Sequence, residues 1–178
     1  YGLINSLFQT NSFPDDFPGE IAVDAAAQLN DMDALKLLFA HPHIFNPTVL
    51  MKHAFSKSVR SGSLAVVRYL IQNHSKAISE GAMLEALVTG INSNNGALLK
   101  TLFNVYTGTP LVNWNFLFKT AVGEKRHNAM YMILKHISST IRASDAFKIA
   151  IRNDDLDAVK IILDHPKIYL WPRPIRIQ

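Results

Sequence analysis

The sequence predicts an all-α chain, an α-solenoid of about five helix–turn–helix repeats preceded by half a repeat. Three observations carry this. The segment Ala34-Leu-Lys-Leu-Leu-Phe-Ala-His-Pro42 returns nearly unchanged as Ala158-Val-Lys-Ile-Ile-Leu-Asp-His-Pro166. Three looser copies lie between them, with apolar residues at helical spacing. The composition is 48% hydrophobic, ample for a packed core, yet no apolar run approaches the ~20 residues of a membrane-spanning helix.

The second helix of each repeat is read from three columns. One is Leu35, Val67, Leu99, Met130 and Val159. Three residues on come Leu38, Leu70, Leu102, Ile133 and Ile162. One further step gives Phe39, Ile71, Phe103, Leu134 and Leu163. Residues at i, i+3 and i+4 share one helical face, so each copy has one buried stripe. The first helix has its own columns: Ala22, Ala54, Ala86, Leu117 and Ala146, then Val23, Phe55, Leu87, Phe118 and Phe147. Three residues later a small residue recurs, as Ala26, Ser58, Gly90, Ala121 and Ala150, which lets two helices approach closely.

Polar breaks such as Arg60-Ser61-Gly62, Asn92-Ser-Asn-Asn-Gly96 and Arg152-Asn153-Asp154 separate the two helices of a repeat. His41-Pro42 and His165-Pro166 end the second helices, since proline cannot continue one. A histidine there is expected to bond the last carbonyls. The turn-rich Thr107-Gly-Thr-Pro110 joins two repeats. The repeats are placed at 19–50, 51–82, 83–113, 114–142 and 143–170 in a single domain, with a non-helical tail at 171–178. Ile4, Leu7 and Phe8 repeat the stripe, so residues 1–12 are read as half a repeat and the chain as part of a longer protein.

A two-helix unit of about 32 residues resembles the ankyrin repeat. Gly62-Ser-Leu-Ala-Val-Val-Arg-Tyr-Leu-Ile71 and Asp154-Asp-Leu-Asp-Ala-Val-Lys-Ile-Ile-Leu163 are similar to that family's second helix. The resemblance covers residues 19–170. The family's Thr-Pro-Leu-His opening falls on Ile21-Ala-Val-Asp24, His53-Ala-Phe-Ser56, Glu85-Ala-Leu-Val88, Phe116-Leu-Phe-Lys119 and Asp145-Ala-Phe-Lys148, where only the apolar third position survives. The family's Asp-Gly turn is also missing from most loops, so no real sheet is expected between repeats. The tetratricopeptide signature is absent, and other helical repeats are longer.

The chain carries little that suggests chemistry. Cysteine is absent, which excludes thiolate chemistry and fits an intracellular, cytoplasmic setting, or the host cytoplasm for a pathogen protein. His41, His43 and His53 form no metal-binding helix motif, and no phosphate loop or nucleophile elbow occurs. Ser144 is read as a helix cap and Asp145 as a dipole partner rather than as parts of a catalytic triad. No catalytic, cofactor or metal site is assigned, and the chain is read as a non-enzyme.

The expected function is therefore protein binding. In the ankyrin family the hollow is lined by positions just after the small residue of the first helix and just before that helix begins. Carried onto this sequence, these are Gln28, Arg60, Asn92, Glu124 and Arg152, with Lys52, Asn115, Arg142 and Ser144. Trp114, in a connection, is either a core cap or an interface anchor. The first 50 residues carry a net charge of −5 and the rest +9, so an acidic partner suits the basic portion. A regulatory or targeting segment of a larger enzyme or host-interacting effector is the alternative. Nucleic-acid binding ranks below both, because the bases do not alternate with aromatics.

Overall fold

The computed structural model describes residues 19–40, 47–105, 113–137 and 139–170. The half repeat at 1–12, His41 and His43, Tyr106 and the 107–110 turn, Ser138 and the tail at 171–178 lie outside the described residues. The chain divides into two compact units, residues 1–78 and 79–178. The described residues are mostly helical, which agrees with the all-α expectation.

The first unit holds α1 (Gly19–Gln28), α2 (Met32–Phe39), α3 (Pro47–Ser61) and α4 (Leu64–His74), followed by a 3-10 turn at Ser75–Ala77. Here α1 packs on α2 and α3, and α3 packs on α4. The second unit holds α5 (Glu80–Asn92), α6 (Gly96–Val105), α7 (Trp114–Gly123) and α8 (His127–His136). It continues with β1 (Ile141–Arg142), α9 (Ser144–Arg152), α10 (Leu156–Asp164) and β2 (Ile168–Tyr169). The first helices α5, α7 and α9 pack in succession, and each also packs on its own second helix.

One turn, made five times, joins the helices of each pair. Asn30, Gly62, Asn94, Lys125 and Asp154 all have positive φ, at 58°, 73°, 53°, 54° and 51°. Each is followed by a residue whose amide reaches back to the small column. Asp31 N donates to Ala26 O, Ser63 N to Ser58 O, Asn95 N to Gly90 O, Arg126 N to Ala121 O and Asp155 N to Ala150 O, over 2.8–3.0 Å. The positive-φ residue donates in turn to Ala27, Val59, Ile91, Val122 or Ile151, in the same order. This pair of bonds is the Schellman motif, which satisfies carbonyls that a helix end otherwise leaves open. The spacing of the turns follows the spacing of the apolar columns.

The residue after the positive φ then caps the second helix. Asp31 accepts from Ala34 N, Asn95 from Leu98 N and Asp155 from Ala158 N, over 2.9–3.1 Å. Ser63 and Arg126 occupy the same position without a side-chain cap. One six-residue stretch thus ends one helix and starts the next, and the capping residues Asp31, Asn95 and Asp155 account for part of the polar breaks in the sequence.

Burial follows the columns. Leu35, Val67, Leu99 and Met130 are buried, as are Leu38, Leu70, Leu102, Ile133 and Ile162. Each such side chain contributes roughly 1.5–3 kcal/mol on leaving water. Gly90 shows why the small column is small: a Cβ there would lie 2.8 Å from Leu99 Cδ2 and 3.1 Å from Leu99 Cγ. The columns weaken at both ends of the described chain. Phe39, Phe147 and Val159 are only half-buried, and Leu163 is 58% exposed. Among the described residues no later helix pair covers the face that holds Phe147, Val159 and Leu163.

Two expectations need correction here. The connections before α9 and after α10 do pair, in parallel, as β1 and β2, with Ile141 opposite Ile168 and Arg142 opposite Tyr169. Ile141 N donates to Lys167 O at 2.7 Å and Ala143 N to Tyr169 O at 3.0 Å, so two extended segments satisfy each other's backbone. It is the single sheet among the described residues. Ser144, expected to cap, is instead the first residue of α9, and Ala143 stands at the cap position without a side-chain bond. The Ser144 hydroxyl donates to the Leu170 carbonyl beside β2.

Candidate partner-binding face

The residues singled out in the sequence fall in both units. Lys52 and Arg60 are exposed on α3 of the first unit, where Gln28 is exposed at the end of α1. Asn92, Trp114, Asn115, Glu124, Arg142 and Arg152 belong to the second. The turn register corrects one of these. Counted from the small column, the position shared by Gln28, Arg60, Asn92 and Arg152 is Gly123, and Glu124 lies one residue further on, as the C-cap of α7. The turn between α7 and α8 places no side chain at the expected point.

Several of the remaining residues are tied into the fold. Asn115 Oδ1 accepts the Arg142 amide at 2.9 Å, which holds β1 beside the first turn of α7. The Asn92 carbonyl accepts from Arg126 Nη2 at 3.0 Å. A cation on the last carbonyls of α5 also suits the negative end of that helix. Trp114 is not in a connection but is the first residue of α7, half-buried. Its ring centroid lies 5.9 Å from that of Phe103, and Phe103 stacks on His136 at 5.0 Å. Burial, and then the neighbouring Lys135 cation, push the His136 imidazole below its ordinary pKa. Trp114 thus has an intramolecular partner. Arg142 and Arg152 keep exposed side chains.

The turns of neighbouring pairs are also linked. In the first unit Ser63 Oγ donates to Gln28 O at 3.3 Å, and Asn30 Oδ1 accepts from Val66 N at 3.4 Å. In the second, Lys125 Nζ donates to Asn153 O at 2.8 Å. His127 Nε2 lies 2.8 Å from Asp155 Oδ1 and 2.9 Å from Oδ2. The Asp155 side chain is 4% exposed. Burial alone would raise its pKa, but the Ala158 amide, the His127 ring and the Lys125 cation outweigh burial and hold the carboxyl below the usual carboxylate range. His165, expected to bond helix-end carbonyls, instead accepts the Lys167 amide on Nδ1 at 3.3 Å. The carbonyls of Leu134 and Ile137, at the end of α8, go to Lys167 Nζ, at 3.0 and 2.7 Å.

His53 faces two carboxylates across α1 and α3, with Glu20 Oε2 at 3.6 Å and Asp24 Oδ1 at 3.7 Å. Among the described residues no group of three or more histidine, aspartate or glutamate side chains could hold a metal ion. No helix among them is long and apolar enough to cross a membrane.

One exposed group was missed in the sequence. Phe116 on α7 is 42% exposed. Its column otherwise reads Ile21, His53, Glu85 and Asp145. That mainly polar column was the available signal, because an aromatic residue there has no place in the core. Lys119 stands one turn on from Phe116, and Asp145 and Lys148 occupy the matching places on α9. All four are exposed. No family model, curated protein or solved structure matches the chain.

Proposed function

We propose that the chain is a non-catalytic, ankyrin-like protein-binding module that receives its partner on surfaces made by the first helices of its repeats. One observation carries this reading. The core columns hold the same residue classes from pair to pair, whereas the outer columns of the first helices, which lie outside the core, vary. Glu20, Lys52, Leu84, Asn115 and Ser144 form one such column, and Asp24, Ser56, Val88, Lys119 and Lys148 another, exposed or half-buried throughout. A repeated frame that carries unlike side chains in rows suits recognition of an irregular protein surface. The charge of the later residues favours an acidic partner surface.

The test is capture and reconstitution. Proteins retained by the immobilised chain are identified by mass spectrometry, purified and titrated against it by calorimetry. A stoichiometric complex that weakens when Lys52, Lys119 and Lys148 are changed to glutamate supports the reading. Complexes that form equally well with the triple variant overturn it.

A further inference from the structure

Within the second unit, α7, β1 and α9 bring together a small surface unlike its surroundings. Phe116 and Lys119 are spaced i, i+3 on α7 and so share one face of that helix. Asp145 and Lys148 hold the same columns on α9, which packs against α7. Packed helices lie about 8–10 Å apart, so equivalent residues stand side by side. Arg142 is held in the same neighbourhood because its amide is bound by Asn115, the residue before Phe116.

The chemistry of this patch is specific. It combines one exposed aromatic ring with three exposed cations, Lys119, Arg142 and Lys148, and two exposed carboxylates, Asp145 on α9 and, in the same column on α5, Glu85. Asp145 lies 3.7 Å from Lys148, with both side chains about three-quarters exposed, at 75% and 78%. Exposed pairs of this kind are weak, so the lysine stays open to a stronger acidic ligand. Among the described residues Lys119 has no ion-pair partner.

We propose that this patch docks a short acidic segment of a partner protein, one that also presents an apolar side chain to Phe116. The proposal rests on the protein-binding reading above and names the chemistry of the partner. Charge complementarity selects the acidic residues, and the half-exposed ring supplies the apolar anchor that interface energy tends to concentrate on. A nucleic acid fits less well. One aromatic ring is not the series of stacking platforms that single strands use.

The experiment uses the full chain and four fluorescein-labelled probes read by polarisation. The first is a short glutamate-rich peptide with a central pair of leucines, and the second has serines in place of the leucines. The third has lysines in place of the glutamates, and the fourth is a short oligothymidine. The first probe should bind, with an affinity that falls as salt is added. The second and third should bind at least roughly tenfold more weakly, a difference of about 1.4 kcal/mol. Phe116→Ala should reduce the first probe to the level of the second. K119E/K148E should abolish its binding, while Lys160→Glu on α10 should leave it unchanged. Lys119 and Lys148 are exposed, so the charge variants should fold as the parent does, which circular dichroism and Tm will check. Equal binding of the leucine and serine peptides, preference for oligothymidine, or indifference to K119E/K148E would overturn the proposal. If reconstituted partners bind the chain but compete with none of the peptides, the docking chemistry is wrong while the protein-binding reading stands.

Discussion

His127 on the first turn of α8 and Asp155 at the cap of α10 meet at 2.8 Å, so one carboxylate serves two helix pairs. Asp155 Oδ1 also accepts the Ala158 amide at 3.0 Å, which caps α10. Nearly all of this carboxylate is out of water. Its hydrogen bonds are the reason it can remain charged there.

Asp155→Ala removes both the cap and the bond to His127. The expected loss is about 2–3 kcal/mol of unfolding free energy. Asp155→Asn keeps a capping oxygen and should cost about 1 kcal/mol. Urea unfolding of the two variants checks the order. Equal losses would mean that the cap contributes nothing.

The same carboxylate sets a pH dependence. Its pKa in the folded chain is depressed, so the folded state favours the unprotonated form more than the unfolded chain does. The stabilisation is therefore complete above the unfolded pKa, about 3.9, and is lost as pH falls through the lower folded value. The stability gap between the parent and Asp155→Asn should be full at pH 5 and should narrow below about pH 4. A gap that widens on acidification would reverse the sign and refute the assignment.

Much of this fold could be read from the sequence, because side-chain periodicity reports burial directly. Leu70, Leu102 and Ile133 are buried where the columns place them. The turn was visible only as a polar break. Nothing in Lys125 announces a positive φ, a conformation that the surrounding bonds impose. The β1–β2 pair was missed because two-residue strands carry no periodic pattern. Of the candidate residues, Asn115 and Arg142 lie together, joined by the bond from the Arg142 amide to Asn115 Oδ1. Glu124 was misplaced by one residue because the step from Gly90 to Ala121 is 31 residues, one shorter than the 32 from Ser58 to Gly90. Trp114 was read as lying in a connection, whereas Asn113 caps α7 one residue earlier by accepting Phe116 N at 3.0 Å.

Equivalent columns need not be equally sensitive. Leu134 and Leu163 share a column, yet Leu134 is 1% exposed and Leu163 58%. Leu134→Asp should destabilise by roughly 3–5 kcal/mol, since it buries an unpaired charge. Leu163→Asp should stay within about 0.5 kcal/mol. Thermal or urea unfolding separates the two. A large loss from Leu163→Asp would show that the last helix pair is covered on that side.

The last prediction concerns Lys125, which has a φ of 54°. The other turns use Asn30, Gly62, Asn94 and Asp154 at this position, and glycine, asparagine and aspartate all accept left-handed backbone at low cost. A lysine Cβ there costs roughly 1 kcal/mol. Its side chain recovers part of that, because Nζ donates to Asn153 O and adds positive charge near Asp155. That bond is exposed, so its contribution is small. Lys125→Gly relieves the backbone but gives the unfolded chain more freedom. Lys125→Asn relieves most of the strain without that entropic penalty. Lys125→Asn should therefore raise Tm by about 2–4 °C, and Lys125→Gly by less. If both variants instead lower Tm, the bond to Asn153 and the charge beside Asp155 outweigh the strain, and the link between the α7–α8 and α9–α10 turns is stronger than its exposure suggests.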